Sequence, residues 1–152
     1  SRGLGDVYKR QIQVSTPVLK CDHTHYQQFI NDRKNNRVGA TTAVFDNNSD
    51  ALYFSKEVIP FLSKTALTKQ PLIPVYHHVG VYAYRNEALS QYANWKETPL
   101  EKLEGLEQLR FLENTIKVKC VLMEGTGSLF WELNNPSDII IIEEILGDLD
   151  VR

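Results

Sequence analysis

The side chains with chemical reach gather in two stretches of this 152-residue sequence. The first is PVYHHVGVYAY at 74–84. Its alternation has the period of a strand, so Val75, His77, Val79, Val81 and Ala83 share one side while Tyr76, His78, Gly80, Tyr82 and Tyr84 share the other. His78 and Tyr82 then stand on one face with Gly80 leaving open space between them, an imidazole and a phenol placed to exchange hydrogen bonds with a polar ligand. The second stretch is TPLEKLEGLEQLR at 98–110, where Glu104, Glu107 and Gln108 interrupt a run of leucines. Each pattern has a plainer reading: half-buried packing for His78 and Tyr82, the solvated face of an amphipathic helix for the acids.

Other chemistries are excluded by pattern. The four histidines form neither H-x-x-x-H nor H-E-x-x-H, with His23 and His25 flanking a helix start, so a zinc site is not indicated. No G-x-S-x-G elbow, P-loop or G-x-G-x-x-G is present, and Gly125 with Gly127 is too little for a phosphate loop. Cys21 and Cys120 are far apart, which fits a reducing cytoplasm rather than a disulfide framework. A formal net charge of −2 gives no electrostatic case for nucleic acid or a membrane surface. No run approaches the roughly 18 apolar residues that span a bilayer. With 42% hydrophobic residues the chain suffices for one domain with a real core.

The positioning elements follow in order. Residues 1–11 (SRGLGDVYKRQ) have no apolar period and read as a non-native scar or a disordered arm. Residues 12–19 are β-rich, with Pro17 marking an edge or an end. Asp22 caps a helix with an apolar face at Tyr26, Phe29 and Ile30. Residues 41–46 and 51–55 form a hairpin across Asn47-Asn48-Ser49-Asp50. Residues 62–72 are a polar connection carrying Lys64 and Lys69, and a helix runs through Leu89, Tyr92 and Trp95. At 98–110 the spacing predicts one continuous helix opened by a Thr98/Glu101 capping box with Pro99 at its first position, its stripe of Leu100, Leu103, Leu106 and Leu109 buried. Residues 116–123 alternate as a strand. A last helix spans 137–146, capped by Asn135 with Pro136 following and Asp138 in its first turn. Strands interleaved with helices imply an α/β layered fold.

Several motifs in order carry the reading further. ALYFSK at 51–56, IP at 59–60, HVGVYAYR at 78–85, NW at 94–95 and TPLEKLEGLEQLR at 98–110 resemble the ALYFSR, IP, HxGIYxYR, NW and SPLExxExLEQLR pattern of the 3-deoxy-manno-octulosonate cytidylyltransferase (CMP-Kdo synthetase) family, over residues 12 to about 126. The resemblance implies a Rossmann-like nucleotide-diphospho-sugar transferase fold, with residues 12–152 forming the C-terminal, sugar-binding and dimerising half of a mixed sheet flanked by helices, and the N-terminal CTP-binding half missing. It also implies a cytoplasmic homodimer that uses Mg²⁺ to join CTP and the acid sugar Kdo for lipopolysaccharide assembly. Its sugar-contacting positions fall on Lys56, His78, Tyr82, Glu107 and Gln108. Lys56 or Lys64 would hold the sugar carboxylate and Glu107 would accept from hydroxyls, and no catalytic residue is expected in this half, which alone should be inactive.

Three departures mark the chain. The family's CTP loop and first metal aspartate have no counterpart. Lys56 stands where the family has arginine, keeping the charge but losing the bidentate fork. Asn134 aligns with the family's second metal aspartate, and an amide is the weaker Mg²⁺ ligand. The alternatives are a cytidylyltransferase for 8-amino-Kdo or another nonulosonate, and a non-catalytic dimerisation or interaction domain derived from the fold.

Overall fold

The computed structural model describes residues 12–67, 72–124, 136, 138–140 and 142–144. The elements run β1 (Val14–Asp22), α1 (His23–Lys34), β2 (Thr42–Phe45), β3 (Ala51–Ser55), α2 (Lys64–Leu67), β4 (Leu72–His78), β5 (Ala83–Tyr84), α3 (Asn86–Asn94), α4 (Pro99–Glu104), α5 (Leu109–Glu113) and β6 (Val118–Leu122). Residues 138–140 and 142–144 are helical within the stretch expected to form the last helix, while its cap Asn135 lies outside the described residues.

The sheet is mixed and centred on β1. β4 and β5 run antiparallel along one edge of β1, β6 runs parallel along the other, and β2 and β3 extend the sheet beyond β4 as an antiparallel hairpin. The hairpin turn reaches back to β6, where the Cys120 N–H donates to the Ser49 carbonyl at 2.8 Å, so the sheet curls into a half-barrel.

Two expectations fail here for related reasons. Pro17 is not at an edge: it sits in the middle of the central strand, paired in register with Val121 of β6. Its carbonyl accepts from the Val79 N–H at 3.1 Å. N–H and C=O of one strand residue point the same way, so the missing donor falls in the gap between β4 and β5, where no ladder bond is needed. Residues 74–84, in turn, are not one strand. The chain leaves the ladder after His78 and rejoins it at Ala83, opposite Ser15, so Gly80 and Tyr82 sit on an excursion rather than a ribbon.

The sheet's two faces carry separate cores. Cys21, Phe29, Ala40, Ile73 and Val75 pack under α1. The Asp22 carboxylate accepts from the His25 N–H at 2.8 Å, as the capping reading expects. Val14, Val18, Ala43, Phe54, Ala88, Leu106, Leu109, Phe111, Val118 and Cys120 form the larger core beneath α3 to α5.

The stretch at 98–110 corrects the continuous-helix reading. Its start is as written, with the Thr98 N–H donating to Glu101 at 3.0 Å. At Gly105, however, the backbone turns left-handed (φ 63°, ψ 39°), ends α4 and re-aims the chain before α5. Leu106 and Leu109 are therefore buried, while Leu103 is 82% exposed and Leu100 39%. Glu113 of α5 closes the corner by accepting from the Leu100 and Glu101 N–H groups at 3.1 and 3.2 Å, satisfying donors at the start of α4. Among the described residues no helix is long and apolar enough to cross a membrane.

Candidate functional site

The break at Gly105 and the break after His78 face one another across the larger core. Between them lies a cavity of about 200 Å³, lined by Thr41, His78, Gly80 and Tyr82 from the sheet and by Gly105, Leu106, Glu107 and Gln108 from the helical layer. His78, Tyr82, Glu107 and Gln108, singled out from sequence, thus converge on one space. Lys56 is not itself a lining residue but abuts one: the position a Cβ on Gly105 would take is 2.8 Å from the Lys56 ammonium. Lys64 does not join them; it is exposed on α2 and is not among the lining residues. Asn134 lies outside the described residues.

His78 is 4% exposed, and burial lowers its pKa to about 4, so the ring is neutral near pH 7. Its Nε2 lies 3.0 Å from the Thr16 hydroxyl, which donates to the carbonyls of Val81 at 2.8 Å and Val79 at 3.1 Å. Carbonyls only accept, so the hydroxyl proton goes to them and Thr16 Oγ1 receives the Nε2 proton, leaving Nδ1 as an acceptor. The ring is held by Phe54 at 5.0 Å and Tyr82 at 5.5 Å between centroids. Thr16 therefore fixes both the excursion that carries Gly80 and the tautomer of His78.

Across the cavity, Gln108 is 3% exposed, pinned between the buried Leu106 and Leu109. Its Nε2 has no hydrogen-bond partner among the described residues. An amide N–H₂ buried without an acceptor costs about 1–3 kcal/mol, which marks it as awaiting one. Glu107 is exposed and also lines a smaller cavity with Tyr82, Tyr84, Leu89 and Tyr92. Burial and the Glu107 charge together raise the Tyr84 phenol. The site thus offers a neutral imidazole acceptor, a phenol, an unpaired amide donor, a solvated carboxylate and an ammonium, a set suited to a polyhydroxylated acid.

The frame is equally polar. The Arg110 guanidinium donates to Glu101 at 2.8 Å and lies 4.2 Å above the Tyr92 ring, fixing α5 against α3 and α4. Glu104 reaches back to β3, accepting from the hydroxyls of Tyr53 at 3.2 Å and Ser55 at 2.8 Å and from the Lys56 N–H at 3.0 Å. Sequence reading missed Thr16 and Gly105 as parts of the site and named Glu104 only among the polar residues between the leucines. Gly105 carried a signal, a glycine inside a helical pattern that marks a C-cap.

No group of three or more His, Cys, Asp or Glu able to hold a metal ion occurs among the described residues, and Glu107 is the one carboxylate lining the His78 cavity. These residues do not fit a Mg²⁺ site of their own.

A curled mixed sheet with helices on both faces is the nucleotide-diphospho-sugar transferase fold, and the solved structure of a CMP:2-keto-3-deoxy-manno-octonic acid synthetase complexed with CTP superposes with a TM-score of 0.66 at 24% identity, covering 95% of this chain and 53% of that one. The chain belongs to the cytidylyltransferase family, whose sequence profile matches residues 13–118. It is 36% identical over 136 residues to the 3-deoxy-manno-octulosonate cytidylyltransferase of Maricaulis maris (strain MCS10), covering 90% of this chain and 51% of that protein. It is 43% identical over 100 residues to the 8-amino-3,8-dideoxy-manno-octulosonate cytidylyltransferase of Shewanella pealeana (strain ATCC 700345 / ANG-SQ1), covering 66% of this chain and 38% of that one. The chain spans about half the length, or less, of the curated relatives it matches.

Proposed function

We propose that the full-length protein carrying this segment transfers CMP from CTP to Kdo with release of pyrophosphate, and that residues 12–124 supply the acid-sugar pocket. The observation that carries this is the convergence of His78, Tyr82, Glu107 and the unpaired Gln108 amide on one cavity, with the Lys56 ammonium next to the lining residue Gly105. In this reading the sugar carboxylate pairs with Lys56, sugar hydroxyls donate to Glu107 and His78 Nδ1, and Gln108 donates to a sugar oxygen. The anomeric hydroxyl oxygen forms the new bond to the α-phosphorus as the α–β anhydride bond breaks. The proton leaves that hydroxyl and pyrophosphate carries off the electron pair. The contribution of the described residues is to place that oxygen and exclude competing orientations. Mg²⁺ would supply charge neutralisation on the triphosphate, held by residues other than those lining this cavity.

A second acceptor, 8-amino-Kdo, is favoured by the Shewanella relative. The test is pyrophosphate release by full-length protein given CTP, Mg²⁺ and either sugar. Turnover with Kdo supports the first reading, and turnover with only the 8-amino sugar replaces it with the second. CTP binding with no turnover on either points to the non-catalytic interaction domain. We also propose a homodimer, supported by the exposure of Leu100 and Leu103 on α4 and testable by sedimentation, where a monomer would refute it.

A further inference from the structure

The Glu104–Gly105 corner does something helix chemistry does not ask of it. Glu104 is the last residue of α4, where the negative end of the helix dipole disfavours a carboxylate. Its three bonds instead run to Tyr53 and Ser55 of β3 and to the N–H of Lys56 just past that strand's end. One carboxylate therefore ties the backbone that carries Lys56 to the corner that carries Glu107 and Gln108.

Gly105 does a second job beyond its left-handed turn. A Cβ there would come within 2.8 Å of Lys56 Nζ and 3.9 Å of Lys56 Cε, so the lysine occupies the space that any other residue's side chain would take. The ammonium therefore rests against the bare backbone of Gly105, a residue that lines the cavity.

We propose that Glu104 and Gly105 are positioning residues for the acid group of the sugar, acting through Lys56: Glu104 fixes the lysine's backbone and Gly105 clears the path of its ammonium. This rests on the acid-sugar reading above and adds two residues to it. A lysine is a point charge on a flexible stem, so it binds a carboxylate well only when its reach is constrained. The corner supplies that constraint, and an extra side chain at 105 would displace the ammonium from its place beside the cavity-lining backbone.

The test uses full-length protein and measures acid-sugar affinity by calorimetry and the KM for sugar and for CTP. Gly105→Asn is the informative variant, because asparagine tolerates the left-handed backbone and keeps the turn while filling the space the ammonium takes. It is expected to weaken sugar affinity about tenfold, with the KM for CTP unchanged. Made in a Lys56→Ala background, it should cost less than about twofold, since the group it displaces is gone. Glu104→Ala should likewise raise the sugar KM, with Glu104→Gln recovering part of the loss. Full sugar affinity in Gly105→Asn, or equal costs with and without Lys56, would overturn the proposal while leaving the functional reading intact. If wild-type protein binds no acid sugar, both fall together.

Discussion

Replacing Gln108 with methionine should make the protein more stable and a poorer binder of sugar at once. The amide is 3% exposed and its Nε2 has no partner among the described residues, so the folded state carries a desolvated donor. Such a group costs about 1–3 kcal/mol, and methionine fills nearly the same volume without it. Allowing for imperfect packing, Gln108→Met should stabilise the protein by about 1 kcal/mol, a rise in Tm of roughly 2–4 °C for a chain of this size. In the acid-sugar reading the same amide bonds the ligand, so the variant should lose about 1.5 kcal/mol of sugar affinity, or roughly tenfold in Kd, with CTP affinity unchanged. Differential scanning calorimetry with and without Kdo measures both. A lowered Tm together with unchanged sugar affinity would show that Gln108 is a packing residue and refute the reasoning.

Three further outcomes follow from the same geometry. His77 and His78 are buried, and burial lowers both to about 4 against 6.5 when exposed. Below pH 6.5 the unfolded chain takes up protons that the folded chain does not, so stability should fall from about pH 6.5 to 4 by roughly 1.4 kcal/mol per pH unit per histidine; a flat Tm across that window would contradict it, and His77→Leu should flatten part of the slope. Thr16→Val leaves the Val81 carbonyl and the His78 Nε2–H without their partner, and thermal denaturation should register a loss of about 2 kcal/mol. A Cβ on Gly39 would sit 2.7 Å from Asp32 Oδ2, and that carboxylate cannot retreat because Arg37 and Gln28 hold its Oδ1 at 2.9 to 3.2 Å. Gly39→Ala should therefore cost about 1–3 kcal/mol by urea denaturation, and markedly less when Asp32 is also alanine.

What the sequence determined by itself was local or motif-borne. The Asn47 to Asp50 run placed the hairpin turn, and Asp22 and Thr98 opened their helices, because caps and turns are settled by neighbours in the chain, whereas the alternation that grouped His78 with Tyr82 stops at His78 and the two meet through the excursion that follows. The ordered motifs gave the family. Tertiary structure decided whatever depended on a partner far along the chain. Pro17 could lie in the central strand only because β4 and β5 leave a gap opposite it. The leucine repeat at 98–110 looked like one buried stripe, yet the Gly105 corner buried half of it and exposed the rest, because Glu104 is drawn to β3 rather than to its own helix. Thr16, separated from His78 by 62 positions, fixes that ring's tautomer, and no spacing rule links the two. The cavity itself exists because two chain breaks, one in the sheet and one in the helical layer, face each other across a shared core.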